Sequence, residues 1–506
     1  MFSRTKTAHL IGIQAVIVEV EIFIGSMGLP SFAVVGLAEG AVKESRERVK
    51  ASLKSLDFNI FAKPITINLA PADFKKEGTH YDLPIAIGLL MASGHIKGNI
   101  DDTLFIGELS LDGQLRGVPG ILSMVIEAKD KGIKRIILSD MNAVEASVIE
   151  DIDIYNFRSL SDVIGFLNQS FDKKPFKRDS LSKTIQSEDF SDFIDVKGQF
   201  VARRTAEIAA AGMHNILFIG PPGSGKSMIS RRIPGILPKM SFEEAIETTR
   251  IHSVSAVVRR EEGIITTRPF IAPHHTASDV AIIGGTRGAK PGLVSLAHNG
   301  VLFLDELLEF KRTVLEVLRQ PLEDGVVIIS RANRTMSYPS RFMLVAACNP
   351  CPCGFLGDNL RECKCSYTSI KNYRSKLSGP LIDRIDLHIN VPSIDFKELS
   401  QVEYGEPSKS IRERVEHVHR KQENRFKNLK INFNSQMVSN HIKKYCKLDK
   451  ESSLLLENIV RKRGLTARAY NKIIKIARTI ADLDDSINIE RGHLLEATQY
   501  RSEDFN

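Results

Sequence analysis

The chain reads ILFIGPPGSGKS at residues 216–227, and this stretch decides the fold. Its four leading apolar residues predict a buried strand, and the glycine-rich turn after them predicts the start of a helix. Such a turn surrounds phosphates with backbone N–H groups and a helix N-terminus, while the lysine reaches the β- and γ-phosphate oxygens. The predicted loop consists of Gly220, Pro221, Pro222, Gly223, Ser224, Gly225, Lys226 and Ser227, with the Ser227 hydroxyl as a Mg²⁺ ligand.

A second apolar run lies downstream and ends in two carboxylates. Residues 301–304 read VLFL, which predicts a buried strand, and Asp305 and Glu306 follow directly. Hydrolysis of a nucleoside triphosphate uses one carboxylate to support the metal and another to handle the proton of the attacking water. We therefore expect Asp305 to support Mg²⁺ and Glu306 to polarise the water. The alternative for residues 220–227 is a plain glycine-rich turn, and the alternative for Asp305 and Glu306 is a pair of surface acids.

Composition narrows the class of protein. A chain of 506 residues suggests about three domains on the usual length scale. Lys and Arg exceed Asp and Glu by 69 to 61, and the formal charge of +8 permits binding to a polyanion without requiring it. No run approaches the ~20 apolar residues that cross a bilayer. These features predict a soluble cytoplasmic protein without a membrane partner.

Periodicity predicts three structural regions. Residues 1–168 mix strand and helix patterns, which predicts an α+β domain, and residues 169–191 are rich in Ser, Lys and Asp, as in an exposed linker. The predicted nucleotide-binding core follows at 192–392, and residues 393–506 carry helical patterning that predicts a lid. The expected fold class is therefore α/β, with an α+β domain before the core.

The order of motifs resembles that of AAA+ ATPases. After the two motifs above come Asn349 behind the apolar strand 342–348, Arg384 in LIDRIDL and Arg468 in GLTARA. More narrowly, PFIAPHHTAS at 269–278 and NPCPCG at 349–354 are similar to the magnesium-chelatase-like AAA+ ATPases of the YifB/ComM family. The resemblance implies a P-loop core with a helical lid that uses ATP and magnesium.

The same resemblance assigns roles to three residues. Asn349 matches sensor 1, which orients the lytic water, and Arg468 matches sensor 2. Arg384 matches the arginine finger, which reaches the γ-phosphate bound by a neighbouring subunit and contributes ~10³ to 10⁵ in rate. The resemblance therefore implies a homo-oligomer, expected to be a hexamer. Without the family resemblance, Arg384 and Arg468 are each more simply explained as members of surface ion pairs.

The N-terminal region resembles the Lon protease domain, through residues 107–120 and 132–138. Lon-type proteolysis needs a serine nucleophile and a lysine base. Here His80 falls where the serine is expected, and Leu122 and Met124 fall where lysine is expected. We therefore predict a scaffold or DNA-contacting domain without protease activity. His80 with Asp82 could form a different acid–base pair, but a histidine hydrogen-bonded at a helix start capped by Asp82 is the simpler interpretation.

Two basic, turn-forming segments suggest contacts with DNA. Residues 326–338 predict a hairpin whose tip reads SRANR, and residues 284–292 form a glycine-rich loop that reads GGTRGAKPG. Both precede Asn349, where the related branches of AAA+ proteins insert hairpins that project into the pore of the ring. The candidate DNA-binding residues are Arg331, Arg334, Arg287 and Lys290. The alternative for each one is a solvated turn.

Four of the six cysteines form two Cys-x-Cys pairs, and a nine-residue segment separates the pairs. Four thiolates suit tetrahedral Zn²⁺, so Cys351, Cys353, Cys363 and Cys365 are candidate zinc ligands. Because the usual spacing is Cys-x-x-Cys, free thiols in a turn remain the alternative. Cys348 lies in an apolar strand and is expected in the core. His274 and His275 are adjacent on an extended segment, where side chains point apart, so we expect a structural or hairpin-positioning role rather than a metal site.

The resemblance implies a ring-forming, ATP-driven DNA motor, acting as a helicase or branch migration factor that promotes strand integration in natural transformation or recombination. Its expected partners are single-stranded or branched DNA and further copies of the chain. The alternative is an ATP-driven protein-remodelling subunit of the magnesium-chelatase type. Chelatase motors lack a Lon-like N-terminal domain, which favours the DNA motor.

Overall fold

The computed structural model describes residues 1–177, 191–255, 263–285, 290–331, 334–393 and 404–501, with the side chains of Arg331 and Arg334 outside the description. The chain divides into two compact units. The first contains Met1–Ile185 and Ala245–Ile265, and the second contains Gln186–Glu244 and Thr266–Asn506. The predicted boundaries at residues 168, 191 and 392 stay predictions. Among the described residues, no helix has both the length and the apolar composition that crossing a bilayer requires.

The first unit is built on a mixed sheet. Its strands are β1 (Phe2–Ile11), β2 (Gln14–Ile24), β3 (Ser31–Val35), β4 (Pro64–Ala70), β5 (Thr103–Ile106), β6 (Glu108–Leu109), β7 (Leu115–Arg116), β8 (Arg135–Ser139) and β9 (Asp153–Phe157). Within the described residues, seven of them form one sheet in the order β3-β4-β2-β1-β5-β8-β9, and β6 pairs with β7. The β6–β7 hairpin turns through Asp112 and Gly113, whose φ of +85° suits glycine.

Residues 2–24 form two antiparallel strands joined by a tight turn. β1 and β2 are antiparallel, and Ile11 lies opposite Gln14 across a tight turn that begins at Gly12. Gly12 has a φ of +65°, a left-handed conformation that glycine adopts without a Cβ clash. β1 also pairs in parallel with β5, and β5, β8 and β9 continue the sheet in parallel.

Helices cover this sheet. They span Ala41–Ser55, Asp82–Ala92, Ile121–Asp130, Ala143–Ala146 and Leu160–Leu167, with a 3₁₀ turn at Asp140–Asn142. The helix Asp82–Ala92 is almost entirely buried, as its nearly continuous apolar sequence predicts. Leu122 and Met124 are also fully buried, so they are core residues of the helix Ile121–Asp130.

The predicted capping role of Asp82 is wrong. The Arg48 side chain donates to its carboxylate from Nε at 2.6 Å and from an η nitrogen at 3.0 Å, and the Leu109 N–H donates at 3.1 Å. Burial raises the pKa of Asp82, and the Arg48 hydrogen bond opposes that shift. The His80 ring contacts the Tyr81 ring at a tilt of 35°, with a centroid separation of 4.3 Å, and burial, aided by His9, lowers the pKa of His80 to about 3.

The helix Phe242–Val254 explains why Ala245–Ile265 belongs to the first unit. Arg250 donates from an η nitrogen to the carbonyl of Ile13 at 2.8 Å. Ser253 donates to the Glu145 carboxylate at 2.5 Å. The sequence predicted this segment as part of the nucleotide-binding core, whereas these polar contacts join it to the first unit.

The second unit is built on a parallel sheet. Its strands are β10 (Ile216–Ile219), β11 (Phe270–Ile271), β12 (Val301–Leu304), β13 (Val326–Arg331), β14 (Arg334–Pro339), β15 (Met343–Cys348) and β16 (Leu387–Asn390). Within the described residues, five of them pair in parallel in the order β11-β12-β15-β10-β16. Every residue of β10, β12 and β15 is buried, as is usual for a parallel sheet with both faces covered. The predicted strands at 216–219 and 301–304 are confirmed.

The helices of the second unit include the predicted C-terminal series. They span Phe200–Gly212, Lys226–Ser230, Asp279–Ile283, Leu293–Leu296, Arg312–Val317, Arg319–Asp324, Tyr367–Arg374, Gly379–Ile382, Ser408–Phe426, Ser439–Tyr445, Lys450–Lys462, Ala467–Leu483 and Arg491–Gln499. Short 3₁₀ turns lie at Phe193–Asp195, Ile233–Ile236, Leu307–Glu309 and Asn434–Gln436. The C-terminal helices share a hydrophobic core with the sheet, and their function as a lid stays a prediction.

A buried ion pair joins the C-terminal helices to the sheet. The Lys472 ammonium lies 2.7 Å from the Asp386 carboxylate, which also accepts the Asn215 N–H at 3.0 Å. Burial alone would raise the pKa of Asp386, but Lys472 and His214 outweigh it and hold this pKa well below its usual range. Asp386 immediately precedes β16, and Asn215 immediately precedes β10. The pair therefore ties the helix Ala467–Leu483 to two neighbouring strands.

Parallel pairing brings three distant motifs to one edge of this sheet. Ile219 pairs with Cys348, and Leu304 pairs with Ala346, so β10, β12 and β15 end side by side. The residues that follow these strands are Gly220, Asp305 and Asn349. In α/β proteins the crevice beyond the carboxyl ends of parallel strands is the usual ligand site.

Candidate nucleotide-binding site

The loop after β10 has the backbone that its glycines predict. Gly223 and Gly225 have φ values of +80° and +91°, which a residue with a Cβ rarely adopts. At Gly220 an added Cβ would lie 2.2 Å from the Val391 carbonyl oxygen, so only glycine fits beside β16. Gly225 directly precedes the helix Lys226–Ser230. The strand, turn and helix order predicted for residues 216–227 is confirmed.

Lys226 lies folded back over this loop. Its ammonium donates to the carbonyls of Gly220 at 2.7 Å and Pro221 at 2.8 Å, and it lies 3.4 Å from the Asn349 amide oxygen. Burial lowers the pKa of Lys226, while Cys348 and Asp305 oppose the shift. The carbonyl partners are neutral, so an anionic oxygen would be a stronger acceptor for this ammonium.

Ser227 and Asp305 form a pair of oxygen donors. The Ser227 hydroxyl donates to the Asp305 carboxylate at 2.7 Å, although the two residues are far apart in sequence. The other Asp305 oxygen accepts the Glu306 N–H at 3.0 Å. A hydroxyl beside a carboxylate is the set of hard oxygen ligands that Mg²⁺ prefers, so these residues fit the predicted metal.

Glu306 contacts a histidine that the sequence did not connect with it. Its carboxylate lies 3.2 Å from Nδ1 of His275, and the His275 ring meets Phe310 edge-on at 6.5 Å. Glu306 also has a φ of +52°, an uncommon backbone conformation that clusters at functional sites when glycine is absent. His275 follows β11, the neighbour of β12, which is how the two side chains meet.

The two predicted phosphate-directed arginines lie together, apart from the loop after β10. Arg384 donates from an η nitrogen to the carboxylate of Glu323, and an η nitrogen of Arg468 lies 3.9 Å from the same carboxylate. Burial lowers the pKa of Arg384, and Arg468 and Arg319 add to the shift. Within the part of the chain that the structure describes, neither arginine contacts Lys226, Ser227 or Asp305.

The DNA-binding candidates are described only in part. β13 and β14 form the predicted antiparallel hairpin, with Arg331 opposite Arg334 at the tip, and residues 332–333 lie outside the described residues. Arg287 lies outside them as well. Lys290 is exposed, and Gly284 bridges to Pro291 at the base of its loop. The roles of these four residues stay predictions.

The four candidate zinc ligands are brought together. The sulfur atoms of Cys351, Cys353, Cys363 and Cys365 all lie within 4.8 Å of one another. Cys348 is buried in β15, as predicted, and burial raises the pKa of its thiol to about 12.

Sequence reasoning missed two residues of this region. His275 was expected to have a structural or hairpin-positioning role, and Glu323 carried no motif at all. Both are recognisable only by what they touch: His275 contacts Glu306, and Glu323 contacts both arginines.

Three family models match the chain in succession. Residues 18–142 match "Subunit ChlI of Mg-chelatase", residues 192–399 match "Magnesium chelatase, subunit ChlI", and residues 405–501 match "Magnesium chelatase, subunit ChlI C-terminal". Together they span most of both structural units.

Some individual relatives match over nearly the whole length, and others match over a part of it. The chain is 44% identical to the competence protein ComM of Haemophilus influenzae, covering 97% of this chain and 96% of the relative. It is 43% identical to the uncharacterized protein YifB of Escherichia coli, covering 99% of this chain and 97% of the relative. A more distant match is the magnesium-chelatase 38 kDa subunit of Rhodobacter capsulatus, 25% identical over 28% of this chain and 44% of the relative.

Proposed function

We propose that this chain, which belongs to the magnesium-chelatase-like family of ComM and YifB, is a ring-forming ATPase that moves DNA strands. The observation that carries the ATPase activity is the convergence of Lys226, Ser227 and Asp305 at one sheet edge. The 44% identity to a protein named for competence supports the DNA part, because competence concerns the uptake of DNA.

The binding half of the mechanism follows from the partners of Lys226. Its ammonium exchanges two neutral carbonyls for phosphate oxygens of ATP, because charge-assisted hydrogen bonds are the stronger ones. The N–H groups of the glycine-rich loop surround the same phosphates. Ser227 and Asp305 would hold Mg²⁺, which would neutralise phosphate charge.

The hydrolytic half uses the residues after β12 and β15. Glu306 accepts the proton of the attacking water, which requires its carboxylate to leave His275. Asn349 lies beside the Lys226 ammonium and orients that water. Arg384 stabilises the developing phosphate charge in the site of a neighbouring copy, so the site is complete only in an oligomer, and Arg468 acts as sensor 2.

DNA movement is assigned to the hairpin of β13 and β14. The hairpin is a two-stranded element separate from the parallel sheet, with an arginine at each strand end of its tip. Tips from several copies around a ring would contact the phosphate backbone without reading sequence. We assign this activity to branch migration during the integration of incoming strands, with single-stranded or branched DNA as the partner and a hexamer as the assembly.

The test is the rate of ATP hydrolysis with and without single-stranded and branched DNA, together with unwinding of a labelled three-strand junction. Lys226→Ala is the blank, and Glu306→Gln should bind ATP but hydrolyse it slowly. We expect DNA to stimulate hydrolysis and ATP to drive unwinding. The DNA motor would be contradicted if the protein hydrolyses ATP but does not bind DNA and is not stimulated by it.

A second candidate is an ATP-driven protein-remodelling subunit. The matches to magnesium chelatase favour it, since three family models carry that name. This function uses the same ATP site, but ATP hydrolysis would move a partner protein rather than a DNA strand. ATPase activity that DNA leaves unchanged, with stimulation by a protein partner, would support this function instead.

A further inference from the structure

The segment from Asn349 to Ser366 carries four cysteines in a compact cluster. The sulfur of Cys351 lies 3.4 Å from that of Cys353 and 3.7 Å from that of Cys363, and Cys353 lies 3.6 Å from Cys363. A tetrahedron with Zn–S bonds of about 2.3 Å has edges of about 3.8 Å between sulfurs. The three distances are close to that edge, and none of the cysteines forms a disulfide.

The spacing favours a single ion over an iron–sulfur cluster. In a four-iron cluster each cysteine binds a different iron, which separates the sulfurs by more than one tetrahedral edge. Here all four sulfurs, including Cys365, lie within 4.8 Å of one another. This spacing fits a single coordination sphere.

The backbone around the cluster is shaped for thiolates. The N–H groups of Phe355 and Lys364 hydrogen bond to the sulfur of Cys353, and the N–H of Cys365 bonds to the sulfur of Cys363. Such bonds spread the negative charge of metal-bound thiolates.

The same segment contacts the loop after β10. A Cβ placed on Gly354 would lie 2.7 Å from Cδ of Pro222 and 3.9 Å from Cγ of Asn349. The Gly220 N–H donates to the carbonyl of Cys348 at 3.2 Å, immediately before the segment. The cysteine segment is therefore packed against the phosphate-binding loop, and Gly354 lies close to the Asn349 side chain assigned to the lytic water.

We propose that Cys351, Cys353, Cys363 and Cys365 bind one Zn²⁺, and that the segment fixed by this ion positions Pro222 and Asn349 for ATP. The positioning half rests on the proposed ATPase function, and the zinc half does not. Zinc supplies a rigid crosslink between two Cys-x-Cys pairs, so the contact at Gly354 stays in place while nucleotide binds and leaves.

The first experiment measures metal content in the full chain purified without a chelator or a metal-binding tag. We expect about one zinc per chain. Cys353→Ser combined with Cys363→Ser should lose it, whereas Cys446→Ser, which removes a buried cysteine outside the cluster, should keep it. Replacement by cobalt should give the visible absorption of a tetrahedral thiolate site. Chains without zinc that also fail to bind cobalt, or iron in place of zinc, would overturn the proposal.

The second experiment separates positioning from metal binding. Gly354→Ala keeps all four thiols but places a methyl group against Pro222, so it should retain zinc while weakening ATP binding on the order of tenfold. Gly357→Ala is the matched control, because its φ of +77° gives similar backbone strain and nothing lies near its added Cβ. Equal ATP affinities in the two variants, with zinc present in both, would overturn the positioning half alone.

An experiment on the native protein tests the proposal even when a cysteine variant fails to fold. Releasing the metal with a mercurial reagent, and measuring zinc and fluorescent-nucleotide affinity in the same sample, tests both halves without a mutation. Zinc release that accompanies loss of nucleotide affinity supports the proposal, and release without any change in affinity contradicts the positioning half.

Discussion

Nδ1 of His275 lies 3.2 Å from the carboxylate of Glu306, the residue assigned to the attacking water. This contact occupies a lone pair of the Glu306 carboxylate that would otherwise accept the proton of the attacking water. We expect His275→Ala to raise ATP hydrolysis in the absence of DNA by about threefold to tenfold, which corresponds to the loss of one hydrogen bond of about 1 kcal/mol at a half-exposed carboxylate. Steady-state ATPase rates measure the effect.

His274→Ala is the control for that substitution. Its Nδ1 hydrogen bonds with the Thr276 hydroxyl at 2.9 Å, so its removal spares Glu306 while changing the same segment. A fall of basal hydrolysis in His275→Ala below that of His274→Ala would show that the imidazole orients Glu306 rather than restraining it.

Glu323 neutralises the two arginines assigned to phosphate, Arg384 and Arg468. Glu323→Gln should free them for phosphate and lower the KM for ATP by no more than about fivefold, because exposed ion pairs are worth about 1 kcal/mol or less. Glu316→Gln, which breaks a 2.8 Å pair with Arg319 nearby, is the control. A higher KM in Glu323→Gln than in Glu316→Gln would mean that Glu323 positions the arginines productively.

Arg384 is expected to act on ATP held by another copy. Arg384→Ala should bind nucleotide yet hydrolyse it slowly, since an arginine finger contributes ~10³ to 10⁵ in rate. Mixing it with Lys226→Ala should restore part of the activity, because one interface then combines an intact loop with an intact finger. If the ATPase activity of a well-assembled mixture only equals the summed activities of the two variants, the site is complete within one chain.

The hairpin tip should account for part of the salt dependence of DNA binding. Replacing both Arg331 and Arg334 by Ala should reduce the slope of log affinity against log salt by about 1.4 for each contacting copy, or ~0.7 per phosphate contact on a single strand. Arg461→Ala with Lys462→Ala removes two charges from a helix elsewhere as the control. Titrations of labelled single-stranded DNA at several salt concentrations would refute the assignment if both double variants keep the wild-type slope.

The first unit should lose stability as the pH falls below about 6.5. The buried His80 has its pKa lowered to about 3, whereas an unfolded histidine titrates near 6.5, so the unfolded state binds the extra proton between these values. The free energy of unfolding therefore decreases as pH falls through this window, by about 1.4 kcal/mol per pH unit for one group. Hydrogen exchange in the helix Asp82–Ala92 reports on this unit.

His80→Gln should flatten that pH dependence between pH 7 and pH 5. The exposed His95→Gln is the control, since its side chain lies at the surface of the same unit. Identical pH slopes in His80→Gln and the wild type would assign the dependence to other groups, with the neighbouring His9 the first to examine.

Strands and turns of the nucleotide-binding region were predictable because their signals are local. β10 and β12 are four-residue apolar runs, and the glycines after β10 need left-handed backbone that few other residues adopt. Asp82 shows where local reasoning failed. It lies at the start of a helix, where a capping role was predicted, but its carboxylate accepts hydrogen bonds from Arg48, which is distant in sequence.

The sequence by itself determined which chemical groups are present and the order in which strands carry them: a phosphate-binding loop, two carboxylates, an amide, two arginines and four thiols. The tertiary structure decided which of these groups meet. Parallel strand register set Ser227 beside Asp305 and His275 beside Glu306, and chain folding brought Arg384 and Arg468 to Glu323. Those contacts depend on distances across the sheet and between helices, which no local pattern of residues records.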